Sequence, residues 1–137
     1  MRSPELSMKM AIAALCLLQG QALAASTSAA ASGNWSAISW DNGAPATGDD
    51  VVIPSGRTVT NDAPTPILGS FTNSGTFVFI GTNNSLTASN ITLGGTVTHE
   101  INTDTNSADG WTPDNGIVIV CTNLTVTGSI NADAKGY

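Results

Sequence analysis

From Asp50 onward the chain breaks into short runs in which apolar and polar residues alternate, and clusters of Gly, Asn and Pro separate the runs. Alternation with period two marks strands with one buried face, and the intervening residue types supply tight turns. Three runs align position for position: Phe71-Thr72-Asn73-Ser74-Gly75-Thr76-Phe77, Ile91-Thr92-Leu93-Gly94-Gly95-Thr96-Val97 and Leu124-Thr125-Val126-Thr127-Gly128-Ser129-Ile130. Each reads apolar, Thr, two variable positions, Gly, Thr or Ser, apolar. A fainter version precedes them at Val52-Ile53-Pro54-Ser55-Gly56. The repeat glycines are 19, 20 and 33 residues apart, and the last spacing is one period lengthened by 13, which fits the polar stretch 103–115.

A period near 20 with several short strands per repeat predicts an all-β solenoid, the parallel β-helix. One turn of such a chain cannot bury its own apolar side chains, whereas stacked turns pair every backbone group with the turn above or below. Phe71, Ile91 and Leu124 would then form one interior stack, and Phe77, Val97 and Ile130 a second. Thr72, Thr92 and Thr125 would form an outward ladder. Gly75, Gly95 and Gly128 would mark a corner that needs positive φ or close backbone approach. The alternative is an antiparallel β-sandwich, which alternates similarly but does not require Gly and Thr to return at a near-constant period.

The N-terminus changes the picture of where this fold works. Arg2 and Lys9 give a basic start, Ala11 to Leu18 is apolar, and Ala22-Leu23-Ala24 is a small-x-small cleavage site. This is the pattern of a secretory signal peptide over 1–24, too short to span a bilayer comfortably. Residues 25–33, rich in Ala, Ser and Thr, read as a flexible lead-in. Residues 34–50 read as an N-terminal cap, and 51–137 as stacked strands with an Asp/Asn-rich insert at 103–115. Beyond residue 24 only Arg57 and Lys135 oppose nine carboxylates, so nucleic acid and anionic membrane surfaces are poor partners. Only Cys121 follows the leader, so no internal disulfide is available. The stretch from Ile130 to Tyr137 carries no recognisable terminal cap, and the chain is expected to continue in a longer protein.

Trp40-Asp41-Asn42-Gly43, Pro45 and Gly48-Asp49-Asp50-Val51-Val52-Ile53-Pro54-Ser55-Gly56 together resemble the opening of the extracellular eight-glycine (G8) domain. The similarity continues through Leu68-Gly69-Ser70-Phe71, Gly75-Thr76-Phe77-Val78-Phe79 and Leu86 to Ile91, and spans about residues 35–101. Asn73-Ser74 departs from it where more apolar residues would be expected. The resemblance implies a secreted or surface-exposed β-rich domain leading into a right-handed parallel β-helix, with some relatives linked to hyaluronan breakdown.

Candidate chemistry is sparse. His99-Glu100 joins the one His to a carboxylate, but neighbours on a strand point to opposite faces, so a solvated strand end is expected there and no catalytic residue is assigned. Asp104, Asn106, Asp109 and Asp114 cluster oxygens that suit Ca²⁺, the one cofactor considered, although their spacing does not match the helix-loop-helix calcium pattern. Trp111 beside Asp and Asn is expected to fold back over the solenoid as a cover, and is the candidate sugar platform, by stacking plus hydrogen bonds. Trp35 and Trp40 are expected to cover the open end of the first turn. Thr58-Val59-Thr60, Thr96-Val97-Thr98 and Thr125-Val126-Thr127 start at different offsets from the repeat glycines and are not expected to form one water-ordering array. Asn34, Asn83, Asn90 and Asn123 lie in N-glycosylation acceptor patterns.

These readings favour a secreted or cell-surface β-helix segment with a structural, adhesive or matrix-interacting role and no catalysis of its own. Its expected partners are extracellular polysaccharide or cell-surface glycans. The alternatives are the N-terminal part of an extracellular polysaccharide-degrading enzyme and a carbohydrate-binding module.

Overall fold

The computed structural model describes residues 23–103, 108, 110 and 112–135. These contain ten strands and no helix: β1 (Ser26–Ser28), β2 (Gly33–Asn34), β3 (Asp50–Ile53), β4 (Thr58–Asn61), β5 (Leu68–Asn73), β6 (Thr76–Phe79), β7 (Leu86–Leu93), β8 (Thr96–His99), β9 (Ile119–Val126) and β10 (Ser129–Ile130). The chain visits two sheets alternately. One sheet has the order β1-β3-β5-β7-β9 and the other β2-β4-β6-β8-β10. All eight strand pairings are parallel, which rules out the antiparallel sandwich. A single antiparallel bridge, Ala29 to Trp40, lies outside the strands.

The expected stacks are present in register. Phe71 pairs with Ile91, and Ile91 with Leu124. Phe77 pairs with Val97, and Val97 with Ile130. Thr72, Thr92 and Thr125 share the outward row. Across the insert every pairing jumps by 33 residues, so the polar excess sits between β8 and β9 without disturbing the rows on either side.

The first repeat is aligned differently from its sequence reading. Val51, not Val52, pairs with Phe71, and Thr58 pairs with Thr76. Arg57 is therefore the residue beside Gly75. Gly56 belongs to a turn over residues 54–57, in which Arg57 N donates to Pro54 O at 3.1 Å and Gly56 takes φ +78°. Gly75, Gly95 and Gly128 do not have positive φ. Their requirement is close approach: a Cβ at Gly95 would overlap the carbonyl oxygen of Gly75, and one at Gly128 that of Gly95. Gly95→Ala is therefore expected to destabilise by about 1–3 kcal/mol, since the backbone of the preceding row cannot give way as a side chain can. Gly116→Ala, where a Cβ meets nothing within 4 Å, is the control and should stay near neutral. Denaturant midpoints of the two variants test this.

Residues 25–33, expected to be a flexible lead-in, instead carry the first strand of each sheet, paired to β3 and β4. Their small side chains give little periodic contrast, yet Thr27 and Ala29 are buried.

The core lies between the sheets. Phe71 and Phe77 meet edge to face at 5.0 Å, and Phe77 and Phe79 at 5.3 Å. Trp35 closes the end near β2, 4.8 Å from Trp40 and 6.1 Å from Phe77 between ring centroids. The two Trp thus cover the first row, as apolar rings at an open end should. At the other end the same columns are uncovered: Leu124, Val126 and Ile130 are 47%, 44% and 46% exposed, whereas Ile91, Leu93 and Val97 beneath them are at most 1% exposed.

Candidate functional site

The best-organised polar site is the corner formed by Gly48, Asp49 and Asp50. Asp49 is little exposed, and its carboxylate accepts Ala25 N and Ala46 N, each at 2.8 Å. Its main-chain oxygen accepts Gly69 N at 2.9 Å. The side chain of Asp50 points outward and accepts Ser70 Oγ at 2.6 Å. Asn90 and Asn123 continue this outward row, with Asn123 Nδ2 donating to Asn90 Oδ1 at 2.8 Å. A second carboxylate, Asp62, accepts both the N–H and the hydroxyl of Ser36 and so ties the Trp35 loop to the end of β4.

Hydrogen bonds from Ala25 and Ala46 hold the Asp49 carboxyl below its ordinary value of 3.8, against the opposing effect of burial. Burial pushes Asp62 up, but the Ser36 hydroxyl and N–H outweigh it and the net shift is also downward. A carboxylate with a lowered folded pKa takes up fewer protons than the unfolded chain does just below the ordinary value. Its stabilisation is therefore complete above pH 3.8 and is lost as pH falls through the folded values. Thermal unfolding followed by circular dichroism should show a melting temperature flat with respect to these two groups at neutral pH and falling below about pH 4. Asp62→Asn should flatten part of that fall.

The structure separates the residues of the one candidate acid–base pair. His99 is buried at the end of β8, where its Nδ1–H donates to Glu100 O at 2.6 Å, while Glu100 is exposed. The imidazole thus closes the end of a core column instead of standing in solvent. Of the calcium candidates only Asp114 falls among the described residues. It accepts the N–H and the hydroxyl of Thr103, which closes the base of the insert. Asp104, Asn106, Asp109 and Trp111 lie outside the described residues. Among the described residues no group of three or more His, Cys, Asp or Glu is placed to hold a metal.

Two of the Thr triplets do stack, contrary to expectation. Thr58-Val59-Thr60 and Thr96-Val97-Thr98 both align with Thr76-Phe77-Val78, because the longer first turn absorbs the apparent offset. Val78 interrupts the hydroxyl row, and Thr125-Val126 lies in the other sheet.

Sequence reasoning missed Asn115. It is buried, its Oδ1 accepts Gly81 N at 2.7 Å, its Nδ2 donates to Ile101 O at 3.0 Å and its N–H donates to Asn102 Oδ1 at 2.7 Å. One Asn among twelve carries no signal that it stitches the insert to the 80–85 loop. A surface groove of about 220 Å³ was missed for a similar reason; Ile67, Thr87, Ala88, Ser89, Val120, Cys121 and Thr122 line it. Its lining holds no carboxylate, imidazole or cation, so it offers no acid–base pair. Cys121 is a free, half-buried thiol.

No curated protein and no solved structure matches the chain. The G8 domain family matches residues 39–110, more than half of the sequence. That span includes the Asp49 corner, the Leu68-Gly69-Ser70-Phe71 strand that stacks on it, and the Gly75 and Gly95 positions where adjacent rows come closest. With these features inside the matched region, the chain belongs to the G8 domain family.

Proposed function

We propose that this chain forms coils of a right-handed parallel β-helix on a secreted or cell-surface protein, with a structural or adhesive role toward matrix polysaccharide and no catalysis of its own. G8 domains are typically extracellular, which supports the location. The observation that carries the reading is the asymmetry of the two ends. Trp35 and Trp40 cover the first row, while the last row leaves Leu124, Val126 and Ile130 half exposed in columns that are buried one row earlier. The β9 edge also lacks the usual devices against pairing: Ile119 to Ile130 contains no charge and no Pro. Such an edge is open to pairing with another strand, that of a second copy of the chain included.

Two measurements on the exported protein test the proposal. Sedimentation should show self-association that Leu124→Lys together with Val126→Lys abolishes. A stable monomer of the unaltered protein at high concentration overturns the open-ended β-helix. Immobilised matrix polysaccharides should retain the protein without release of new reducing ends. Release would replace the adhesive role with an enzymatic one, and failure to bind any of them would remove it.

A further inference from the structure

Asp49 is a sheltered carboxylate whose side-chain hydrogen bonds come from backbone N–H groups alone, Ala25 N on Oδ1 and Ala46 N on Oδ2. Arg57 and Lys135 are the only Lys or Arg among the described residues, and neither donates to it. Two further carboxylates flank β1, one at each end. Asp50 lies beside Ser26 in register, and Asp41 accepts Ser28 N at 2.6 Å and Thr27 Oγ1 at 3.2 Å. The carboxylates along β1 thus have no cationic side chain among their donors, and Asp49 and Asp50 lie at its start.

Among the described residues, Ala25 is the first that hydrogen-bonds to the rest of the fold. Its N–H reaches Asp49, its carbonyl accepts Asp50 N at 2.8 Å, and β1 begins at the next residue. Immediately before it, Ala24 is exposed and Leu23 is 91% exposed, both outside any strand. Ala25 directly follows Ala22-Leu23-Ala24, the small-x-small cleavage pattern.

We propose that leader removal cuts between Ala24 and Ala25 and that the new α-ammonium of Ala25 is bound by the Asp49 carboxylate. The inference rests on the export reading. The cut is a hydrolysis by a leader peptidase. Water adds across the amide, its hydroxyl joins the Ala24 carbonyl carbon, and the Ala24 carboxylate departs with the leader. The nitrogen of Ala25 keeps its bond to Cα, gains protons and becomes an ammonium at neutral pH. A neutral N–H donor is thereby replaced, in the same place, by a cation with three donors. Charge-assisted hydrogen bonds of this kind are about twice as strong as neutral ones. Asp50, beside Ser26 in register, acts in the same direction, since nearby opposite charge favours the charged form of an amine.

The test uses protein exported from the full precursor. Mass spectrometry should place the mature N-terminus at Ala25. The α-amine should titrate above its ordinary range of about 7.7–8.0. Its reaction with an acylating reagent at pH 7 should be roughly tenfold slower for each unit of that increase. Asp49→Asn should return the amine to the ordinary range. Because that variant keeps an acceptor for only one of the two backbone N–H groups and can unfold, a second precursor carries one extra Ser between Ala24 and Ala25. Its product keeps an amide at Ala25 N, as in the structure, and its terminal amine should titrate normally. A mature end at any other residue, or an Ala25 amine that titrates in the ordinary range, overturns the inference while export stands. A protein retained in the cell with Met1 in place overturns the export reading, and the inference with it.

Discussion

Ile91→Asp is expected to leave no cooperatively folded protein at neutral pH. Ile91 is 1% exposed and sits in the middle of its column, with Phe71 on one side and Leu124 on the other. A carboxylate there has no cation to meet and no water to solvate it. It must either ionise in apolar surroundings or be held protonated far above its ordinary pKa, at a cost of about 3–5 kcal/mol or more. Total stabilities of single domains are only about 5–15 kcal/mol, so this one change consumes much or all of the margin. The next residue supplies the control. Thr92 is exposed on the outward row, and Thr92→Ser should shift stability by about 0.5 kcal/mol or less. Far-ultraviolet circular dichroism and denaturant unfolding of both variants decide the matter. Two equally folded variants would mean that Ile91 is not an interior residue.

Phe77→Ala should be the most costly simple truncation, at about 3–5 kcal/mol. Phe77 is fully buried and touches Trp35, Phe71 and Phe79 edge to face, so it joins the two sheets to each other and both to the Trp cover. Removing it should also change the fluorescence of Trp35, which loses a ring neighbour. The same column offers an internal comparison. Ile130 pairs with Val97 above Phe77 but is 46% exposed, and Ile130→Ala should cost well under half as much, because less area is returned to water and no closed cavity is left. Equal losses at the two positions would show that Ile130 is covered in solution, as by association of its open row.

Much of this architecture can be read in one dimension. When rows stack with parallel strands, spatial neighbours lie at a constant offset along the chain. The Phe71, Ile91 and Leu124 stack, the Thr72 ladder and the insert between β8 and β9 are therefore visible as a repeat. The glycine column is visible too, because no side chain can substitute where one row's carbonyl touches the next. Other features depend on contacts that no offset encodes. The first row was hidden because Ala, Ser and Thr in residues 25–33 give no apolar alternation, and only pairing with β3 and β4 makes them strands. The longer turn at Gly56 moved the first repeat out of its apparent alignment, since turn length is set by backbone conformation and not by the strand pattern. His99 and Asn115 are polar residues buried by what surrounds them, and each is satisfied by a backbone group brought near by the fold. Asp49 meets Ala25 across 24 residues for the same reason. By itself the sequence determined the strands from Asp50 onward, their period and the glycine column, because these follow from local pattern repeated at fixed spacing. Only the tertiary structure decided which polar groups are buried and what each of them holds, because that depends on how the turns and loops between the rows fold back.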